Sequence, residues 1–521
     1  MPKIFLFQKD FSNQGGDKLF LWFNGAGREV SPQELVSEDD LLICHDYWLI
    51  APSIYNATQD LPKNVVDIEV FRLSISGKKI DRSSREQKSI AHSVSDICEN
   101  DKINEYMNIF TRRSDLDQDL YFSIAPVLEK QWTRLCEHAN STGELDRQIK
   151  IEIPIFNYMT SQVVRGIRID KEKIRSHKKS LDHDFFVTLK RFATDYNLPF
   201  EVPSDEDICE HLEPKGFDFS GVSVDYVLKF IPMQDNFAKD LLALRKTAES
   251  RNVLTSMSIN QSRAFPIVDT FGSITSRIYY KDPALQHISK KHRDIIIPDE
   301  GFELSYVDYD QFEVGIMAAL SSDKLLLDLY KESDIYITIS NSLFNDSSRR
   351  KIAKRLFLSY AYGMQLKGLM DAANAQGAER GSVKSFFKQF ATFEDWKESI
   401  NLRYRKDGRI GTEHGNYLTR NNTGELSSKE RRSSVSQVVQ GTASLIFKKA
   451  ILRLKEEPDI TIKIPMHDAA LVQHPPTYNK DRLAEIFSEV MTQHFNGIIT
   501  GKASLEPFYT THQNEKNSTT P

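Results

Sequence analysis

The run Ser305-Tyr306-Val307-Asp308-Tyr309-Asp310-Gln311-Phe312-Glu313 begins as an alternating apolar segment and delivers a carboxylate, Asp308, where that segment ends. Glu313 follows inside what reads as a helix. A further acid, Asp468, stands with His467 between two short apolar runs, 460–464 and 469–473, the pattern of a tight hairpin with the acid at its tip. Strand ends are stiff, so acids placed there can hold cations in fixed geometry. Two such acids from distant positions suit a pair of Mg²⁺ ions about 3.5–4 Å apart. Mg²⁺ takes few protein carboxylates and completes its octahedron with water and phosphate oxygens. Alone, Asp308 would serve equally well as the cap of the helix that follows it.

A second pattern faces phosphate chemistry. Arg350, Lys354, Leu358 and Tyr362 recur every fourth residue. At about 100° per residue each step drifts about 40°, so the four share one helical stripe about 120° wide. Two cations near a helix N-terminus suit a triphosphate, because the helix dipole adds to their charge. An aromatic ring farther along can stack on a base, and Gly363 stops the helix. An amphipathic helix with snorkelling basic side chains would show the same spacing.

The elements that must position these residues are legible in outline. A chain of 521 residues, 40% apolar and 27% charged, is expected to hold several soluble domains. Its net charge of −5 argues against non-specific coating of nucleic acid but not against a local basic groove. Lys290-Lys291-His292-Arg293, Arg349-Arg350-Lys351 and the run 429–432 could line one, or be solvated faces. No apolar run reaches membrane-spanning length, and Met1-Pro2-Lys3-Ile4 does not open a signal peptide, so an intracellular protein is expected. Cys44, Cys98, Cys136 and Cys209 lack any C-x-x-C pairing and read as buried thiols. The periodicity predicts an α/β unit over 1–145, with strands at 3–7, 18–23, 41–44 and 64–70, a helix at 117–139 and an exposed polar loop at 74–88. A helix at 151–164 ends on Gly166. Long basic helices at 171–195 and 236–257 could grip a duplex or simply pack on each other. Beyond them come strands at 295–298 and 302–308, helices at 323–343, 349–361 and 386–405, and a hairpin at 408–418. A helix at 427–456, broken near Gln440-Gly441, precedes the Asp468 hairpin, a helix at 482–495 and a disordered tail at 510–521.

In order, Asp308-Tyr309-x-Gln311-x-Glu313, the Arg350-x3-Lys354-x7-Tyr362-Gly363 helix, Gln440-Gly441-Thr442-Ala443 and His467-Asp468 resemble the motifs of family A DNA polymerases, the bacterial DNA polymerase I type. The resemblance extends to Thr275-Ser276-Arg277, Asp282-Pro283-Ala284-Leu285-Gln286 and Arg165-Gly166-Ile167-Arg168-Ile169-Asp170, and so covers about 150 to 510. It implies a multidomain α/β and α+β right-hand polymerase, with an antiparallel palm sheet, helical fingers and thumb, and an N-terminal α/β exonuclease-like domain. The implied boundaries are 1–145 for that domain, 146–262 for the thumb, 263–330 for the first part of the palm, 331–425 for the fingers and 426–521 for the rest of the palm and the tail. The implied reaction is template-directed addition of dNTPs to a primer 3′ end by two-metal phosphoryl transfer. The resemblance makes Asp308 and Asp468, with Tyr309, the site of two Mg²⁺ ions (Mn²⁺ as an alternative), and Lys354 the proton donor to pyrophosphate. Gln311, Glu313, Tyr336, Arg350, Lys354, Leu358 and Tyr362 would surround the nucleotide, Glu313 as the gate against a ribose 2′-hydroxyl. Arg277, Gln286, Arg432, Gln440 and His467 would touch the primer terminus and the minor groove, where acceptors common to all correct pairs report base-pair shape. Primer-template DNA and dNTPs are the implied partners of a monomer whose accessory proteins are undefined.

The chain departs from the family pattern at several positions. Ala469 replaces the Glu that usually follows His-Asp, Leu358 replaces an aromatic, and Gly315 replaces an Arg. Tyr336 stands for a His, Ala284 for an Asn and Asp310 for a Ser, the marks of a divergent phage, plasmid or mobile-element lineage. At the N-terminus, Gln8-Lys9-Asp10 offers no Asp-x-Glu pair, and Ile50 stands where a second acid belongs, leaving only Asp119. A catalytically dead proofreading domain is therefore expected, with no 5′-nuclease domain. Two alternatives remain: a single-subunit RNA polymerase-like enzyme, disfavoured by Glu313 and Gln440-Gly441-Thr442-Ala443, and an inactive polymerase-fold DNA-binding scaffold.

Overall fold

The run Ile4-Phe5-Leu6-Phe7 is apolar without alternation, as suits a strand covered on both faces. In the computed structural model, which describes residues 2–12, 16–78, 90–215, 224, 228, 235–332 and 334–510, it lies in the central strand of an N-terminal sheet. Strands β1 (Lys3–Gln8), β2 (Lys18–Phe23), β3 (Ala26–Val30), β4 (Leu42–Cys44) and β5 (Val65–Asp67) pair in the order β3-β2-β1-β4-β5. The β1–β2 and β2–β3 pairs are antiparallel, and β1–β4 and β4–β5 are parallel. The predicted strand at 64–70 stops at Asp67, whose carboxylate accepts the amides of Glu69 and Val70 and so starts the helix Ile68–Ile75. Ser74 is buried in that helix, so the exposed loop expected from residue 74 does not begin there. Residues 79–88 of that loop, and 511–521 of the expected tail, lie outside the described residues. Of the four cysteines, only Cys44 is fully buried.

Helix α1 (Ile153–Arg165) follows a five-residue π-helix, Gln148–Glu152, and ends at Gly166, whose φ of 71° only glycine adopts cheaply. Its two faces enter different cores. Phe156 and Val164 pack with the N-terminal sheet, and Ile155, Met159 and Val163 pack with the rest of the chain. The helices Lys171–Tyr196 and Asn236–Thr255 run antiparallel, joined by Arg251–Asp182 and Tyr196–Asp240 contacts, over a small separate core that includes Phe192, Leu241 and Leu244.

The second sheet carries the acids. Strands β6 (Glu303–Tyr309), β7 (Thr461–Met466), β8 (Ala469–His474) and β9 (Ala503–Glu506) pair in the order β7-β8-β6-β9, all antiparallel. The strand predicted at 295–298 is absent: residues Lys290–Ile295 form a 3₁₀ helix, and only one bridge, Ile169 to Ile296, forms beside it. Helix α2 (Phe312–Ser321) follows β6, α3 (Arg350–Ala361) packs on the helix Ile335–Phe344, and α4 (Ser428–Leu454) packs on α2 and on the helix Asp481–His494, which itself packs against the sheet. The helix predicted at 323–343 is two helices, Lys324–Glu332 and Ile335–Phe344, the second capped by Asp334. The helix predicted at 386–405 likewise divides into Arg380–Phe387 and Ala391–Asp407. Conversely, α4 runs unbroken through Gln440-Gly441. Gly441 marks close packing rather than a break, because a Cβ there would lie 2.9 Å from Thr412 Cγ2 of the hairpin Arg409–Thr412/Gly415–Thr419. Tertiary burial of α4 outweighs the cost of an interior glycine, about 1 kcal/mol. No described helix is long and apolar enough to cross a membrane.

Candidate active site

The register of β6 against β8 sets Asp308 opposite Ala469, one residue past the hairpin tip. The tip is His467-Asp468, with His467 in the left-handed region at φ 46°. The Tyr309 amide donates to the Asp468 carbonyl (3.2 Å), which locks the hairpin tip onto the end of β6. Two carboxylates from residues 160 positions apart in the chain thus share one sheet edge. Burial first, and the Asp468 charge second, push the Asp308 carboxyl up to about 8. Asp468 is exposed at the hairpin tip, yet desolvation by the surrounding protein and then the Glu313 charge raise it too, against Arg277 and Lys354. Asp308 Oδ1 is buried without a hydrogen-bond partner, and the residue facing it, Ala469, contributes only a methyl. A buried, unpartnered carboxylate oxygen beside a second acid is the environment a hard cation fits. Asp310 is tied elsewhere, accepting from Ser504 Oγ at 2.9 Å. The Tyr309 ring is buried and stacked on Phe312 at 4.0 Å, so any part it has at a metal falls to its main-chain carbonyl.

Glu313 sits beside this pair. Its Oε2 accepts from the Tyr362 hydroxyl (2.6 Å) and its Oε1 from Arg277 Nη2 (3.2 Å), joining α2, the end of α3 and the 270–277 loop. The stripe on α3 emerges as expected on the open face: Lys354 is exposed, and Arg350, Leu358 and Tyr362 are partly so. Arg350 Nε and Nη2 both donate to Asp334 Oδ2, at 2.7 and 2.6 Å. Tyr336, expected to touch the nucleotide, is instead 2% exposed, and it forms an aromatic floor under Arg350 and Lys354, 5.4 and 5.5 Å from their cationic groups. Gln311 accepts from the Ile335 amide at 2.9 Å, fixing the start of the next helix.

A cleft of roughly 320 Å³ opens next to Tyr362, lined by Ile274, Thr275, Leu418, Arg432 and Gln440. Arg432 and Gln440 thus line the same cleft from one face of α4. His467 lies near Tyr279, ring centres 5.5 Å apart, and burial, Arg277 and His287 push its pKa down to about 4, so it is neutral near physiological pH. Gln286 is occupied differently from expectation: its side-chain amide exchanges two hydrogen bonds with the Tyr280 backbone, which fixes the turn rather than leaving the group for a base. Sequence reasoning missed Asp334, as well as Lys448 and Glu152, which meet behind the site. A lysine within Leu445-Ile446-Phe447-Lys448-Lys449-Ala450-Ile451 was the available signal, because a lysine buried on such a face requires an acid.

Residues 207–502 match DNA polymerase family A. The chain belongs to that family. DNA polymerase I of Helicobacter pylori strain 26695 is 24% identical over 372 residues, 65% of this chain and 42% of that protein. The thermostable DNA polymerase I of Thermus thermophilus is 27% identical over 238 residues, 42% of this chain and 28% of that protein. The chain thus spans less than half the length of these curated relatives. Among solved structures, the POL domain of Pol1 from M. smegmatis, in complex with DNA primer-template and dNTP, superposes with a TM-score of 0.71 at 18% identity, covering 94% of this chain and 91% of that one.

Proposed function

We propose that this family A chain is a DNA-directed DNA polymerase that adds dNTPs to the 3′ end of a primer on a template. The observation that carries the reading is the Asp308–Asp468 pair at one sheet edge, with Glu313, bonded to Tyr362, and Lys354 of the stripe both within electrostatic reach of Asp468. Asp308 and Asp468 would hold two Mg²⁺ ions, or Mn²⁺, which would lower the pKa of the primer hydroxyl and neutralise the triphosphate. Lys354, exposed and within the field of Asp468, is placed to bind the outer phosphates and give a proton to the leaving pyrophosphate. Arg350 joins it by exchanging Asp334 for phosphate oxygens, while Tyr336 keeps both cations over an aromatic face. Glu313, held from both sides, occupies space that a ribose 2′-hydroxyl needs, and Leu358 lies along the nucleotide face between Lys354 and Tyr362. Arg277, Arg432, Gln440 and His467 line the way to the primer terminus and the minor groove. The reading divides the chain into 1–145 exonuclease-like, 146–262 thumb, 263–330 and 426–521 palm, and 331–425 fingers, acting as an intracellular monomer.

The N-terminal unit is read as lacking proofreading chemistry. Gln8 donates to the Ile109 carbonyl, Asp10 is buried with Ser12, Gly16 and Arg112 as partners, Ile50 is wholly apolar and buried, and Asp119 is exposed on a separate helix. Four convergent carboxylates are therefore not assembled among the described residues. Extension of a recessed primer by the purified chain with Mg²⁺ and dNTPs is the expected result. DNA binding without extension would instead support an inactive scaffold, and preferential use of rNTPs an RNA polymerase-like enzyme.

A further inference from the structure

One residue before Arg277, the cation bonded to Glu313, Ser276 enters a buried charged cluster. Lys448, on α4, is fully buried, and its ammonium donates to Glu152 Oε2 (2.6 Å), Ser276 Oγ (2.6 Å) and the Thr270 carbonyl (2.9 Å). Ser276 Oγ in turn donates to Glu152 Oε1 at 3.2 Å. Glu152 also accepts from Arg147 Nη1 (2.7 Å), and Arg147 Nη2 donates to Glu144 and to the Ser74 carbonyl of the N-terminal unit. Burial alone would raise the Glu152 carboxyl, but Lys448 and Arg147 outweigh it and hold it below its ordinary value, so the cluster is ionised. An ionised cluster this deep is costly to assemble, and replacing it with apolar side chains is often neutral or stabilising. Stability alone is thus a weak reason for it.

Its geometry supplies another reason. Ser276 adopts a φ of 65°, in the left-handed region, and the next residue is Arg277, the cation that holds Glu313. One face of α4 grips this turn at three levels: Gln437 Nε2 donates to the Ile274 carbonyl (3.1 Å), Ser444 Oγ to the Ser276 carbonyl (2.5 Å), and Lys448 to Thr270 and Ser276. These residues stand seven and four positions apart, on one side of the helix that also presents Gln440 to the cleft. A side chain that must hold a carboxylate as a steric gate needs its own backbone fixed, since a misplacement of about 1 Å can cost about a hundredfold.

We propose that Lys448, Glu152 and Ser276 are positioning residues that fix Arg277 against Glu313 and thereby set the enzyme's discrimination between deoxyribonucleotides and ribonucleotides. The inference rests on the polymerase reading and on Glu313 as the sugar gate. It adds a determinant of sugar choice that contacts no substrate, linked through Arg147 to the N-terminal unit. Ser276→Ala is the sharpest probe, because it removes the hydroxyl that couples the ion pair to the turn and leaves Lys448 and Glu152 bonded to each other.

The test is single-nucleotide extension by the full chain, comparing kcat/KM for a dNTP with that for the matching rNTP. Wild type, Ser276→Ala, Glu313→Ala and Lys448→Met would run side by side, with thermal unfolding recorded for each. Ser276→Ala is expected to lower the dNTP/rNTP ratio about tenfold, chiefly through better use of the rNTP. Glu313→Ala should lower it further. A structural role alone would depress both nucleotides equally and leave the ratio fixed. If Glu313→Ala relaxes the ratio while Ser276→Ala leaves it at the wild-type value, this inference is wrong and the polymerase reading stands. If wild type extends but Glu313→Ala changes nothing, the gate and this inference both fall. Absence of extension by wild type overturns the polymerase reading and the inference together. Folded Lys448→Met should lower the ratio as Ser276→Ala does, and a folded Lys448→Met with the wild-type ratio overturns the inference.

Discussion

Asp308 owes its chemistry to what does not surround it. Ala469 offers a methyl where a hydrogen-bond donor could have stood, and Oδ1 is left buried and unpaired. Burial and the Asp468 charge keep its carboxyl at about 8 against an ordinary 3.8. A folded-state pKa above the unfolded one means that the native chain binds more protons in that interval. This contribution to stability is present in full at low pH and is lost as pH rises towards about 8. A bound cation displaces the proton and removes the repulsion between the acids. Thermal unfolding with and without Mg²⁺ should therefore show a larger Mg²⁺-induced rise near pH 8 than near pH 6, and Asp308→Asn should flatten that dependence. A Mg²⁺ effect that ignores pH would contradict the assignment. At the same scale, Glu313→Ala is expected to relax rejection of ribonucleotides by at least about tenfold, read as the ratio of kcat/KM values.

The elements were unevenly legible, and the differences have physical causes. Strands with continuous apolar runs, such as β1 and β8, and helices with a cap and a stripe, such as α3, were readable because their periodicity and termini agree. The short strand β3, Ala-Gly-Arg-Glu-Val, carries almost no apolar signal, because it gains its place by pairing with β2. The Gln440-Gly441 break was misread because a buried helix needs no continuous propensity when a hairpin packs on the gap. Gly315 illustrates the same point. The family's Arg cannot stand there, since even a Cβ would lie 2.7 Å from both Met491 Cε and Tyr330 Cζ, which fill the space. Gly315→Ala should cost about 1–3 kcal/mol through overpacking, measurable as a shift in the denaturant midpoint. An unchanged midpoint would mean that Tyr330 and Met491 yield freely. In the candidate site, the acids and the cationic stripe were visible as local patterns. The Asp334–Arg350 bond and the Lys448 cluster were not, because they join residues whose proximity only tertiary packing creates.

Across the whole molecule, one continuous core runs from α1 to the last strand, and the N-terminal sheet keeps its own, with α1 shared between them. That division fits the proposed reading of a polymerase body with an N-terminal unit that lacks proofreading chemistry. A primer with a mismatched 3′ end, incubated with Mg²⁺ and no dNTPs, should accordingly keep its length. Shortening that disappears in Asp119→Ala would restore an exonuclease to this unit. The polymerase body meets a more direct test in extension of a recessed primer by wild type, Asp308→Ala and Asp468→Ala at matched DNA occupancy. Wild type should extend with Mg²⁺ and dNTPs, and each variant should lose at least about a thousandfold in rate while still binding primer-template. Extension by either variant at close to the wild-type rate would contradict the central assignment of the two acids.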